Sequence, residues 1–445
     1  MTSLAERVRR MNAPSGTVGR LRELGMTRRG LLTGFAVLHV VYALSIVHVI
    51  VSGGTEGDLP LYRLWAQQAI HGYWPVFDFP WVYPAGALAP IMLSIAAGPY
   101  LFQALWLILM AAGNFAAIAA LTGGFRRIAD YPAAWYWLLI QVLLAPVSML
   151  RLEGAAAPLA IAGLVLLARR PAVAGALIAA ATWIKVWPIA IAAAAVTVLR
   201  TRWRVVAGGL ALTAGVVAAV AVGGGIRNLF SFATIQSDRA LQLEAPIATP
   251  WVWGAVLRVP GAAIRQNYEL ATREVSGPGV YAAGEFVTLL MPVVFLGIVA
   301  LLWMARSRAA RERRLTPALE QRLVLRGSFA LAATLIVFNK VGSPQYMLWI
   351  APIVAVGVMV DPRGWRRIAI AVAVASVLTS LVFPILYMPL VDAQPVPAFV
   401  LLLRNLIVVA LFVESVVWLW RAAAARVPVP VGVGAPATAV VPASD

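Results

Sequence analysis

Apolar and polar positions alternate in long blocks along the chain, and the blocks set the elements. Apolar runs fall near 31–52, 85–98, 100–124, 131–150, 154–168, 171–184, 186–199, 205–223, 284–304, 327–339, 346–360, 368–390 and 398–420. A helix needs roughly 20 apolar residues to cross the hydrocarbon of a bilayer, so blocks of this kind predict membrane helices. Several are shorter than that. The run 85–98 ends at Gly98-Pro99, a break that marks it as re-entrant or its bounds as misplaced, since the arginine tracts require 85–124 to make one net crossing. The pattern predicts an all-α fold, a polytopic transmembrane bundle of 11 to 13 helices.

Two stretches between the runs are long, 53–84 and 224–283, and both carry Trp, Tyr, Pro and acidic residues. Such loops lie on the membrane and line sites. Segment 59–71 sets Leu61, Leu64, Trp65 and Ala69 at helical spacing, which predicts an interfacial helix with Arg63, Gln67 and Gln68 towards water. Segment 226–244 predicts a second, less regular one. The chain thus divides into a basic segment 1–30, a membrane domain 31–426, and a tail 427–445 of Val, Pro and Ala without periodicity, expected to be disordered. Leu31 to Ser52 lacks an Ala-x-Ala ending and reads as a retained first helix.

Composition agrees: 62% of residues are hydrophobic and 12% charged, and mean hydropathy is +0.85. A soluble domain carries about a quarter charged residues, so soluble enzyme classes drop out. The net charge of +18 would suggest nucleic acid in a soluble protein. Here the arginines sit in short tracts between apolar runs, at Arg7–Arg10, Arg20–Arg29, Arg126–Arg127, Arg169–Arg170, Arg200–Arg204, Arg306–Arg326, Arg363–Arg367 and Arg421–Arg426. That is the positive-inside pattern, with membrane lipid and not nucleic acid as partner. It puts both termini and 305–326 inside, and 53–84 and 224–283 outside, at a plasma membrane. The absence of cysteine excludes thiolate and disulfide chemistry.

Ionisable residues at membrane level are costly and are functional candidates by default. Asp58, Asp78, Arg151, Glu153, Lys185, Asp238, Arg239, Glu244 and Lys340 all fall on the outer side of this topology. Cations of this kind grip a phosphate and a carboxylate serves as base, which suits a lipid-phosphate-linked substrate. Five of them also have a plainer reading. Asp58 could cap the helix that Pro60 starts, Arg151 and Glu153 could pair with each other, and Lys185 and Lys340 could snorkel. His39 and His48 have no metal-pair spacing and are expected to hydrogen-bond within the bundle. No metal or other cofactor is called for.

The first loop, with Asp58-Leu59-Pro60-Leu61-Tyr62, Gly72, Pro75 and Tyr83-Pro84, resembles the first extracellular loop of family 87 glycosyltransferases. Asp238-Arg239-Ala240-Leu241-Gln242-Leu243-Glu244, Ile184-Lys185-Val186-Trp187-Pro188 and Lys340-Val341-Gly342-Ser343-Pro344-Gln345-Tyr346 are similar to that family too, over roughly residues 31 to 425. Two features depart from it: Arg151-Leu152-Glu153-Gly154 stands where the family has Gly-Gln-x-Asn, and the first loop has a second aspartate, Asp78. The resemblance implies a GT-C fold and transfer of a hexose, mannose foremost, from a polyprenyl-phosphate donor to a cell-envelope glycolipid, with inversion. It implies Asp58 as the base, with Asp78 as a second acid, and Arg239, Lys340 and Lys185 on the donor phosphate. Gln345, Tyr62, Gln242, Glu244, Arg151 and Glu153 would complete the binding site. The rival class is a transporter or flippase-like protein for an anionic or lipid-linked substrate, which needs the cations but not the base.

Overall fold

A computed structural model describes Gly19 and residues 23–237, 239–268 and 272–424. The remaining part of the basic N-terminal segment, Asp238 and the tail 427–445 lie outside the described residues. The molecule is 75% helical, and the predicted apolar runs become helices. Helix α1 (Arg28–Ser45) starts at Thr27, whose hydroxyl accepts from the Gly30 amide, and α2 (Val47–Val51) follows a break at Ile46. Next come α3 (Leu59–Ile70), the short α4 (Leu88–Ile95), α5 (Phe102–Leu121) and α6 (Tyr131–Leu143). Helices α7 (Glu153–Leu166), α8 (Pro171–Ile184), α9 (Ile189–Val198) and α10 (Arg202–Val222) form the middle of the chain.

The second long loop holds α11 (Ser231–Ser237), α12 (Thr249–Val256) and an antiparallel hairpin, β1 (Ala263–Asn267) with β2 (Thr272–Ser276). After it run α13 (Val280–Arg311), α14 (Pro317–Val337), α15 (Met347–Val360), α16 (Pro362–Ser380), α17 (Tyr387–Val391) and α18 (Pro395–Ala424). Proline stands in the first turn of α3, α6, α8, α12, α14 and α16. Its missing N–H costs nothing there and its fixed φ suits the helix.

Among the described residues, five helical stretches are long and apolar enough to cross a membrane: Pro99–Leu121, Arg202–Val222, Val280–Arg311, Pro362–Ile385 and Pro395–Ala424. Helix α4, at eight residues, rises only about 12 Å and cannot cross one alone. This accounts for the interrupted run at 85–98, where Gly98 takes a φ of +89° before α5 begins. Helix α15 is apolar on every side and buried on almost every side from Met347 to Gly357, as expected of a central helix.

Three sequence expectations change. The inward face of α3 is Leu59, Tyr62, Ala66 and Ala69, while Leu61 and Leu64 are exposed. Arg63 does not turn to water but donates to the Gly53 carbonyl at 2.7 Å. Tyr62 takes the interior because its ring packs on Trp106 and its hydroxyl has a partner there. Segment 226–244 is helical mainly over Ser231–Ser237, and Leu241 and Leu243 instead bond to β2, through Val275 N to Leu241 O and Leu243 N to Arg273 O. His39 does hydrogen-bond inside the helices, its Nε2 lying 3.2 Å from Asn114 Nδ2. His48 does not: it is exposed and faces Glu56 at 3.8 Å.

The two ends of the helices differ chemically. At one end Arg200 pairs with Glu320, Arg322 with Asp361, and Arg308 donates to the Ala423 carbonyl. The two long loops meet at the other. There Ser231 Oγ bonds both N and O of Trp81, and Asn228 Nδ2 donates to the Val76 carbonyl at 3.0 Å.

Candidate functional site

Helices α7 and α8 have 14 residues each and run antiparallel, so the start of one meets the end of the other. Glu153 is the first residue of α7 and Lys185 caps α8, and their side chains lie 3.0 Å apart. Each helix terminus favours the charge it carries, negative at the start of a helix and positive at the end. Glu153 is fully buried and its Oε2 has no hydrogen-bond partner among the described residues. Lys185 Nζ also sits over the Tyr83 ring, 4.3 Å from its centroid. Burial opposes the Lys185 charge, but Glu153, Tyr83 and Asp58 outweigh it and raise the pKa.

Two residues ahead of α7, Arg151 turns to a different partner. Its Nη2 lies 3.4 Å from Asp58 Oδ1, and its Nη1 contacts Gln345 Oε1 and, at 3.4 Å, Ser343 Oγ. The guanidinium stands over Phe383, at the break after α16, with 5.5 Å to the ring centroid. Burial opposes this charge too, and Asp58, Tyr62, Glu153 and Tyr83 more than offset it. Arg151 and Glu153 therefore do not pair with each other.

Asp58 stands at the head of α3 but makes no capping hydrogen bond; its side chain goes to Arg151 and accepts from the Tyr62 hydroxyl at 3.3 Å. Gly57 makes this possible, with a φ of +64° that side chains rarely adopt. Asp58 and Arg151 line a small open recess of about 140 Å³ together with Leu150 and Phe383. Asp78 is not in it. That residue is exposed and accepts from the Trp74 amide of its own loop at 2.6 Å.

The other candidates arrive on the segment 239–245. Gln242 N donates to the Lys340 carbonyl at 2.9 Å. A Cβ on Gly342 would stand 2.0 Å from Ala245 N, so only glycine lets the 340–346 string approach so closely. Arg239 lies within electrostatic range of Tyr346, and its Nε, like Gln242 Nε2, is buried without a hydrogen-bond partner among the described residues. Lys340 is buried and its Nζ lies 3.8 Å from the exposed Glu285.

Glu244 has a close protein partner of its own. It is engaged by Arg404, from the middle of α18, with Nη2 at 3.2 Å from Oε2 and 3.0 Å from the Glu244 carbonyl. Both residues are buried. Burial raises the Glu244 pKa, opposed by Arg404 and Arg151. Glu244 thus anchors the segment that carries Arg239 and Gln242. Sequence reasoning missed Arg404, although a lone arginine beside Asn405 inside an apolar run was a visible signal.

Asp58, Tyr62, Tyr83, Arg151, Glu153, Lys185, Arg239, Gln345 and Tyr346 are thereby brought to one end of the helices. Comparison of the chain with protein-family models, curated proteins and solved structures finds no match in any of the three. The site is read from its own chemistry. It offers one half-exposed carboxylate beside a recess, Arg151 in contact with that carboxylate, Lys185 paired with the buried Glu153, and a wall of aromatic rings formed by Tyr62, Trp65, Trp81 and Tyr83.

Proposed function

We propose that the chain is a polytopic membrane glycosyltransferase of the GT-C type, with 11 to 13 helices in the bilayer and its arginine-rich end in the cytoplasm. It transfers a hexose, mannose foremost, from a polyprenyl phosphate to a cell-envelope glycolipid at the outer face of the plasma membrane. The observation that carries this reading is the meeting of Asp58 with Arg151 at a recess, in reach of the fields of Lys185 and Glu153. A carboxylate among cations at one edge of membrane helices suits proton removal next to a phosphate leaving group.

In this reading Asp58 takes the proton of the acceptor hydroxyl. The acceptor oxygen bonds to the anomeric carbon from the face opposite the phosphate, and the bond from that carbon to the phosphate oxygen breaks. Its electron pair leaves with the polyprenyl phosphate, which Arg239, Lys340 and Lys185 stabilise. Tyr62 keeps Asp58 oriented through its hydroxyl; burial raises the Tyr62 pKa, so that hydroxyl stays a donor. Holding both lipid-borne substrates beside the first loop supplies rate through positioning.

The test is sugar transfer by the purified protein from radiolabelled polyprenyl-phosphate mannose to a panel of envelope lipids. Labelled glycolipid that disappears with Asp58→Asn supports the reading. Full binding of the donor with no transfer to any acceptor would favour transport instead.

A further inference from the structure

Asp58 and Arg151 are the two charged side chains lining the recess, and they meet at its wall. Arg151 is held unevenly. One side of its guanidinium is fixed by Gln345 and Ser343, and its flat face by Phe383. The other side reaches Asp58 Oδ1 at 3.4 Å, whereas a well-made charge-assisted hydrogen bond measures about 2.7–2.9 Å. Asp58 has an independent hold, because its second oxygen accepts from Tyr62. The contact is therefore long, Arg151 is seated from its other side by Gln345 and Phe383, and Asp58 keeps a 3.3 Å bond from Tyr62, so the contact can open while each residue retains a second partner.

We propose that Arg151 is the receptor for a phosphate group in this recess, and that Asp58 occupies it as an internal anion until the phosphate arrives. The proposal rests on the reading above, in which a phosphorylated lipid is the substrate. A planar guanidinium takes two phosphate oxygens at once, which the single, long contact to Asp58 does not match. The displaced carboxylate keeps its Tyr62 hydrogen bond and loses the cation that occupied its lone pair. The base is thereby idle in the empty site and freed when the donor is seated, which protects the site from futile proton transfer.

An internal competitor lowers apparent affinity by the fraction of molecules it occupies. Binding of polyprenyl phosphate, and separately of inorganic phosphate, would be measured by calorimetry on the full-length protein in detergent. Asp58→Asn should bind roughly fivefold tighter than wild type, the scale of a partly exposed ion pair. The gain should vanish in an Arg151→Gln background. Mere removal of a negative charge would give the same gain with or without Arg151, so the cycle isolates the pair. If Asp58→Asn does not accumulate, Asp58→Ser serves in the same cycle.

A gain with both probes assigns the receptor to any phosphate, and a gain with the lipid alone assigns it to a lipid headgroup; either supports the proposal. Unchanged or weaker binding by Asp58→Asn overturns it. So does a gain that persists with Arg151→Gln, or no binding by any variant. A protein that shows the gain but transfers no sugar leaves the receptor standing and removes the glycosyltransferase reading. A protein that transfers sugar without the gain does the reverse.

Discussion

Replacing Asp58 by asparagine removes the proton-accepting charge but disturbs no helix cap, because the side chain caps nothing. Asp58→Asn should therefore leave thermal stability near wild type while kcat for sugar transfer falls by roughly two orders of magnitude, the scale of general-base loss. Asp78→Asn, in a loop that closes on itself, should transfer at near wild-type rate. If the two variants behave the other way round, the base is misassigned. Arg239→Ala should raise the donor KM several-fold, since its buried Nε has no acceptor among the described residues, and Lys340→Ala should raise it less because Glu285 already stands 3.8 Å from that lysine. Unchanged donor KM in both variants would take the two cations out of the site. At this scale the sequence showed which residues were out of place in apolar surroundings, but not whom they would meet. Asp58 and Arg151 are 93 positions apart, and nothing local distinguishes that pairing from the Arg151–Glu153 neighbour pair. Only the antiparallel packing of α7 on α8, which sends Glu153 to Lys185, leaves Arg151 for Asp58.

Among the elements, the clamp on segment 239–245 does most to shape the site. One edge is bonded to β2 and the other to the 340–346 string, where Gly342 meets the backbone of Ala245. Gly342→Ala would force these backbones apart and displace Arg239 and Gln242. Donor KM should rise as much as in Arg239→Ala while membrane insertion is unaffected, and wild-type kinetics in that variant would show that the clamp is unnecessary. Helix positions were legible because apolar runs are long and uninterrupted; α8 matches its predicted bounds. The hairpin was not legible. Its strands, Ala263–Asn267 and Thr272–Ser276, carry Arg, Gln, Asn and Glu instead of a sustained apolar alternation, and they are held by pairing, by the backbone of Leu241 and Leu243, and by the Ile264–Val275 pair that joins the cluster around those leucines. The face of α3 was misjudged for a related reason. Tyr62 counts as polar in a pattern, but its ring packs inward and its hydroxyl finds Asp58.

For the whole molecule, the separation of arginine tracts from the recess makes a labelling prediction. Cysteines placed singly at Ser52 and Ser307 in this cysteine-free chain should differ, with an impermeant maleimide reaching Ser52→Cys from outside intact cells and Ser307→Cys only after lysis. Equal labelling from outside would overturn the topology. The Arg404–Glu244 pair has a consequence for how the chain is made. Ribosomes deliver the second long loop, with Glu244, long before α18, and α18 brings an arginine into an apolar segment, which costs about 2.5–3.5 kcal/mol at mid-helix on the insertion scale. That cost is offset when Arg404 docks on a carboxylate already waiting at the surface of the growing bundle. Glu244 in turn lacks its close partner in any chain that stops short, with Arg151 acting on it only at longer range. A nascent protein halted before residue 395 should thus be recognised by membrane quality control and cleared quickly, as should full-length Glu244→Ala, while the charge-swapped pair Glu244→Arg with Arg404→Glu regains part of the lifetime in a pulse-chase experiment. One ion pair at the end of translation thereby reports that every earlier segment has reached its place.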